Sequence, residues 1–313
     1  MTAPEPHPIP AGYAFRAPTL DDVEAVAEVH LADQRAGGAE PTLDASFIRQ
    51  VWSRRGFDLA TDAWVVTDEV GTIVAYGQVH PDEPGTVGSW GVVHPDHRGL
   101  GIGSALFDRI EARASAILAG VPTPRFRHSI DAFDSAAAAM AGARGLRPIR
   151  HHWHMQIELD RRIELGPLPP GIEIGGIDPE ADLPAIHGIL ESAFAGDPFD
   201  HPEPFELWTE QMKRSPSHDP TLWLLARDGG LPVGVLIASD RDDDGWVDWL
   251  AVLDTHRGRG LGTALLRRSF AAFAARGRRR ALLNVDAENV TGATAVYERV
   301  GMRAVFRWDL WER

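Results

Sequence analysis

Two consecutive copies of one mixed α/β domain are what this sequence predicts, and three observations carry the prediction. The first is an internal repeat. Trp64 and Trp223, Gly71 and Gly230, Val74 and Val233, and Trp90 and Trp249 all stand 159 positions apart. So do the segments Arg98-Gly99-Leu100-Gly101-Ile102-Gly103 and Arg257-Gly258-Arg259-Gly260-Leu261-Gly262. A register held over so long a span marks a duplicated domain rather than an array of short repeats. The second observation is that strand-like and helix-like hydrophobic periods alternate in the same order in both copies. The third is a glycine-rich loop between a strand and a helix in each copy. At 313 residues the chain is long enough for two domains, taking about 100–200 residues for each.

The elements follow in order. Residues 13–16 and 172–174 read as short opening strands. Each precedes a helix signal, with Asp22 or Asp182 near its start and Val23 and Val26, or Leu183, Ile186 and Leu190, at helical spacing. Pro184 falls in a first turn, where proline is tolerated. Residues 64–67 and 74–79 form a hairpin turning at 69–71, and residues 223–227 and 233–239 repeat it with a turn at 228–230. Residues 240–244 read as a solvated hairpin tip. Strands 88–93 and 247–252 run into the glycine-rich loops, and amphipathic helices begin near Ser104 and Thr263. Gly277 marks the end of the second helix, since glycine is favoured just past a helix C-terminus. Pro167, Pro169 and Pro170 fall in a join. The predicted organisation is a first domain over 1–158, a linker over 159–170 and a second domain over 171–313. The proline-rich first ten residues read as a loose tail.

Composition narrows the function. The chain is 44% hydrophobic and 24% charged, which fits a globular protein. It has no cysteine, so disulfides, thiolate metal sites and cysteine nucleophiles are excluded. The net charge of −14 is spread over both halves and argues against nucleic acid or an anionic membrane as partner. No apolar run reaches the roughly 18 residues of a membrane span, and the first residues lack a secretory pattern. A cytoplasmic protein is expected. Lys213 is the single lysine.

A loop reading Arg-x-x-Gly-x-Gly between strand and helix has a physical task. Its glycines let backbone N–H groups point into one concavity, and the helix N-terminus adds unpaired donors and a positive dipole end. The result suits a pyrophosphate. The spacing differs from a dinucleotide fingerprint, because Leu106 and Leu265 stand where a third glycine belongs, and no lysine follows to make a Walker loop.

Residues 92–103 and 250–262 resemble motif A of the GCN5-related N-acetyltransferases (the GNAT superfamily). Residues 284–289, with 295–302, resemble that family's second cofactor motif. The resemblance covers both halves, which marks a tandem-domain type. It implies in each half a mixed, mostly antiparallel sheet flanked by helices, and acetyl-CoA as co-substrate with no metal. In the second copy it implies CoA contacts from Leu250, Ala251, Val252, Arg257, Gly258, Arg259, Gly260, Leu261, Gly262, Thr263 and Asn289. In the first copy the matching set is Val93, Arg98, Gly99, Gly101, Gly103 and Ser104.

Acyl transfer to an amine needs a base for the ammonium, donors for the carbonyl oxygen and an acid for the departing thiolate. The resemblance makes Tyr297 the acid, since a phenol stays protonated at neutral pH. It makes Asp248 the base, acting through water, and the backbone N–H of Leu250 or Val252 the oxygen's donor. Strand alternation puts Asp248 on a face with Trp246 and Leu250. In the first copy the partner of Asp248 is Ser89, Ala141 stands where Tyr297 would, and Asp134 replaces Asn289. The first domain is therefore expected to be catalytically degenerate and the second catalytic.

Asp197, Phe199, Trp246 and Trp249 are the candidate acceptor-binding residues. Carboxylates beside aromatic faces suit a small cationic amine. The layout also fits tandem family members that acetylate cysteinyl-glucosaminyl-inositol. A reading of another class is a non-catalytic acyl-CoA sensor. His151, His152 and His154 read as structural rather than as a metal set. Pairing of two domains within one chain makes a monomer the expectation.

Overall fold

The computed structural model describes residues 7–160, 163–196, 203–241, 243–288 and 292–313. The chain divides into two compact units. One comprises residues 1–153 with 286–288 and 305–313, and the other comprises 154–285 with 289–304.

In the first unit, β1 (Ala14–Arg16) leads through α1 (Val23–Ala36), α2 (Ala45–Trp52) and α3 (Leu59–Asp62) to β2 (Ala63–Thr67), β3 (Ile73–Pro81) and β4 (Thr86–Val93). Helix α4 (Ile102–Ile117), β5 (Arg125–Asp131), α5 (Ser135–Ala143) and β6 (Arg147–Glu158) follow. In the second unit come β7 (Ile172–Gly175), α6 (Leu183–Phe194), α7 (Phe205–Arg214), β8 (Leu224–Asp228), β9 (Leu231–Arg241) and β10 (Asp244–Val252). Helix α8 (Leu261–Ala275), β11 (Arg280–Asp286), α9 (Ala293–Arg299) and β12 (Arg303–Glu312) complete the chain.

The first unit orders its strands β1-β2-β3-β4-β5-β12. Its neighbours are antiparallel except for the parallel pair β4–β5. The second unit orders its strands β7-β8-β9-β10-β11, followed by the part of β6 from His154 onward, and β10–β11 is a parallel pair. This is the mixed, mostly antiparallel sheet expected for each copy. The last strand of the chain pairs with β5, Trp308 opposite Asp131 and Trp311 opposite His128. An even spacing between repeats carries no sign of that arrangement.

Apolar faces explain the packing. In the first unit Leu106, Phe107 and Ile110 of α4 lie against Val79, Val87 and Phe126 of the sheet. Val26, Ile48 and Val51 of α1 and α2 cover the other face, with Val65 and Tyr76. Burying each such side chain stabilises by about 1.5–3 kcal/mol relative to leaving it exposed. In the second unit Leu265, Phe270 and Phe273 of α8 are fully buried. Gly245 is obligatory there, because a methyl group at that place would overlap the Phe273 ring. The described part of the expected loose tail is held against the domain. The His7 backbone N–H donates to Asp108 Oδ2 at 2.5 Å and Pro10 lies against Gly101.

Candidate active site

The loop that leaves β10 is shaped by two glycines in the left-handed region, Gly258 at φ 73° and Gly260 at φ 83°. A β-carbon at either would have no atom within 4 Å, so the space in front of the loop is open. Gly260 is the N-cap of α8, and no side chain caps it. The first-turn N–H groups of α8 therefore have no intrahelical acceptor and no side-chain cap, and they face the positive end of the helix dipole. This fits a pyrophosphate. A β-carbon on Gly262 would stand 3.6 Å from Val296 Cγ1 and 3.8 Å from Leu250 Cδ2, so β10, the loop and α9 converge at the start of α8.

The loop arginines act differently from the glycines. Arg257 donates from Nε to the Val252 carbonyl at 3.1 Å and from Nη2 to the Ala193 carbonyl at 3.3 Å, and it pairs with Asp254 at 2.8 Å. It ties the loop to the ends of β10 and α6. Arg259 pairs with Asp228 at 3.3 Å.

Upstream of the loop, β10 has two irregularities. Its ladder with β11 runs from Asp244 opposite Arg280 to Trp246 opposite Leu282 and ends there. Beyond Trp246 that edge of β10, which includes Leu250, Ala251 and Val252, has no ladder partner among the described residues of β11. An open strand edge offers backbone N–H and C=O groups to an extended ligand. The second irregularity is a bulge. Val247 lies opposite Ala238 and Trp249 opposite Ile237, which leaves Asp248 as the extra residue.

The bulge corrects the expected faces. Trp246 lies opposite Ser239 and Trp249 opposite Ile237, two positions of β9 that share a face. Both tryptophans therefore point to the same side, where Phe194 of α6 meets Trp249 edge-on at 5.2 Å. Leu250, opposite Leu236, falls on the other side, toward α8. It does not share a face with Asp248 as strict alternation predicted.

Asp248 is ion-paired. Arg241 Nη2 donates to its Oδ1, and the Arg241 guanidinium carbon sits 4.2 Å from the centre of the Trp246 ring. His154 packs edge-on to Trp246 at 5.0 Å, and its Nδ1 is 2.8 Å from Asn284 Oδ1. Burial pushes the His154 imidazole down to a pKa of about 4, so it is neutral at physiological pH. Arg241 is the residue the sequence did not single out. The sequence puts it in a solvated hairpin tip, yet it is only 6% exposed, as is Asp244. Two tryptophans three positions apart in one strand were the available hint, because they share a face only across a bulge.

Tyr297 is buried in α9, which packs on α8. Thr263 lies in the first turn of α8. Asp197, Phe199 and Asn289 lie outside the described residues. Of the histidines read as structural, His151 pairs with Asp309 at 2.8 Å and His152 stacks on Trp308 at 3.9 Å.

The first unit keeps the loop but differs around it. Gly99 and Gly101 have φ of 74° and 92°, and Gly103 lies near Val93 at the start of α4. Pro10 Cγ stands 3.6 Å from where a β-carbon of Gly101 would be. Arg98 pairs with Asp33 and lies 3.7 Å from Asp134. The Ser104 hydroxyl donates to Met140 Sδ at 3.9 Å. Strand β4 pairs with β3 without a register shift from Val87 to Val93, and its pairing with β5 extends to Trp90 opposite Ser129. Trp90 is the repeat partner of Trp249, so this ladder stays closed three residues past the point where the second one opens. Ser89, the repeat partner of Asp248, donates to the Arg127 carbonyl at 2.9 Å and stitches the two strands together.

A dipole-backed anion loop beside an unzipped, bulged strand has the parts of an acyl-CoA-dependent transferase. Family comparisons agree. The Acetyltransferase (GNAT) family model matches residues 183–302, and the Acetyltransferase (GNAT) domain model matches residues 60–139. The mycothiol acetyltransferase of Beutenbergia cavernae is 32% identical over 93% of this chain and 90% of its own length. That of Salinispora tropica is 31% identical over 94% and 92%. Among solved structures, a GCN5-related N-acetyltransferase from Sphaerobacter thermophilus superposes with a TM-score of 0.84 at 32% identity, covering 98% of this chain and 96% of that one. A tandem GNAT protein from the clavulanic acid biosynthesis pathway shares the fold, with a TM-score of 0.71 at 19% identity over 96% of this chain and 98% of that one. The chain belongs to the GNAT family as a tandem-domain member. It is an N-acetyltransferase, and its family implies acetyl-CoA as co-substrate.

Proposed function

We propose that the second unit transfers the acetyl group of acetyl-CoA to the primary amine of a small acceptor, and that the first unit performs no chemistry. The observation that carries the reading is the contrast between the two copies. The unzipped edge and the bulge occur in β10, whereas β4 is closed and stitched by Ser89. A thioester needs space between strands, and the second unit offers it.

In this reading the N–H groups of Gly260, Leu261, Gly262 and Thr263 hold the pyrophosphate. The open edge of β10 at Leu250, Ala251 and Val252 aligns the pantetheine arm. The acceptor ammonium gives its proton to Asp248 through water. The amine nitrogen then bonds to the carbonyl carbon, the carbon–sulfur bond breaks, Tyr297 gives its phenol proton to the sulfur, and the second proton of the nitrogen passes through water to restore the phenol. A backbone N–H of Leu250 or Val252 stabilises charge on the carbonyl oxygen. Trp246 and Trp249 wall the acceptor side. Asp197 is the expected acid of that side, and the charge of Asp248, the expected base, is met by Arg241.

Release of CoA thiol from acetyl-CoA across an amine panel tests the proposal, because the chain contributes no thiol of its own. Turnover that collapses in Tyr297→Phe supports it. Turnover unchanged by Tyr297→Phe and by Asp248→Asn would move the chemistry elsewhere. The similarity to mycothiol acetyltransferases favours a second reading of the acceptor, cysteinyl-glucosaminyl-inositol, and the same panel decides it. Binding of acetyl-CoA without turnover on any amine would favour a sensor.

A further inference from the structure

The acceptor side of β9 and β10 holds two buried polar groups with no partner among the described residues. Arg241 is 6% exposed, and its Nε–H has no hydrogen-bond acceptor among the described residues. Ser239 is 5% exposed, and its hydroxyl is likewise unmatched. They stand two residues apart on β9, so their side chains share a face, and Ser239 lies directly opposite Trp246. The Arg241 guanidinium lies over Trp246 and ends at Asp248, the bulge residue. These unmatched donors therefore lie beside the point where the strands part.

Leaving buried donors unmatched is unfavourable, and a buried arginine is tolerated only when its donors are used. Stability alone offers no reason for it, because an apolar side chain would fill the same place without an unpaired group. The duplicated copy serves as an internal control. At the repeat-equivalent positions it has His80 and Asp82 in place of Ser239 and Arg241, and Ser89 in place of Asp248. His80 lies over Gly88, where a β-carbon would meet its imidazole ring. The serine–arginine pair occurs only in the copy with the bulge.

We propose that Ser239 and Arg241 bind a carboxylate of the acceptor, and that the acceptor is an α- or β-amino acid whose amine lies within a few bonds of that carboxylate. This rests on the acetyl transfer proposed above. One carboxylate oxygen accepts from Arg241 Nε–H and the other from the Ser239 hydroxyl, hydrogen bonds that the charge of the carboxylate strengthens. The amine then stands next to Asp248, which is held against the same guanidinium. A carboxylate many bonds from the amine would place the nitrogen past the bulge. An acceptor with an amidated carboxyl would leave both donors unmatched, and a site built to hydrogen-bond a group discriminates strongly against analogues without it.

The experiment compares thiol release for free L-amino acids, their carboxamides and the corresponding decarboxylated amines. The enzymes are the wild type, Arg241→Gln, Arg241→Lys and Ser239→Ala. The wild type is expected to favour the carboxylate acceptor over its amide by at least tenfold in kcat/KM, mostly through KM. Arg241→Gln brings that ratio near one, Arg241→Lys restores part of it, and Ser239→Ala lowers it severalfold. Thermal unfolding and acetyl-CoA titration of each variant show that the fold and the CoA site persist. Equal turnover of acids and amides by the wild type overturns the proposal. So does an Arg241→Gln variant that lowers both acceptors by the same factor, since that is the signature of a residue acting only through Asp248. Turnover confined to amine acceptors without carboxylates overturns it while leaving acetyl transfer standing, whereas no turnover on any amine overturns both.

Discussion

Trp246 and Trp249 stand three residues apart on one strand and face the same side of it. An unbroken strand would put them on opposite faces. The extra residue between them, Asp248, turns the strand at the place where its ladder with β11 ends. One inserted residue therefore sets both the aromatic wall and the opening beside it.

Removing the phenol of Tyr297 as Phe is expected to lower kcat by about 10²-fold or more, the usual scale for losing a general acid. The KM for acetyl-CoA should change little, because the ring stays in place. Steady-state thiol release checks this.

The two loops provide a matched pair of substitutions. Gly260→Glu and Gly101→Glu both put a side chain at positive φ, with similar backbone strain of about 1–2 kcal/mol. Only Gly260→Glu places a carboxylate at the proposed working anion site. It should abolish turnover and remove the second unit's acetyl-CoA binding by calorimetry, while Gly101→Glu leaves turnover within about threefold. Lost turnover in a folded Gly101→Glu protein would give the first unit a part in catalysis.

Gly245→Ala tests the packing of α8 on β10. The new methyl meets a Phe273 ring that is fully buried. Overpacking of this kind destabilises by about 1–3 kcal/mol. A lower denaturant midpoint with unchanged slope is the expected result, and Phe273→Leu in the same background should recover part of the loss.

Stability should fall as pH drops below about 6.5, the free histidine value. Burial depresses His30, His80 and His128 to about 3 and His154 to about 4. A group whose folded pKa is depressed contributes stability above its unfolded pKa and loses it as pH falls toward the folded value. Each histidine then contributes a slope on the order of 1 kcal/mol per pH unit. Asp131 works in the other direction. Burial, with Asp134 and Asp309 nearby, raises it to about 7, so its contribution is present below pH 4 and lost as pH rises. One acid opposes four histidines, and the net sign is acid destabilisation. Urea titrations between pH 4 and 7.5 measure it.

The loops were legible in the sequence because their information is local. Gly258 and Gly260 take positive φ, and the strand, glycines and helix follow one another without a gap. The repeat then made both copies visible. The bulge was not legible, because an extra residue is defined only against the partner strand. Arg241 was missed for a related reason. It lies seven residues before Asp248, across a hairpin, in an acidic stretch that reads as solvent-exposed. The closed ladder of the first unit was half visible. Ser89 and Ala141 signalled missing catalytic groups, but the bond from Ser89 to the Arg127 carbonyl depends on which strands sit side by side.

The strand that ends the chain also sets an order of assembly. Arg127 is bound by Glu312, 185 residues later, and β12 lies along β5. During synthesis the first unit therefore waits with an open sheet edge until the ribosome has made the second unit. A cut in the segment between the copies would not yield two finished halves. The upstream fragment would lack its closing strand and expose β5 to pairing with other chains. The duplication that made two domains thus left them one folding unit in time, with the sheet laid down first completed last.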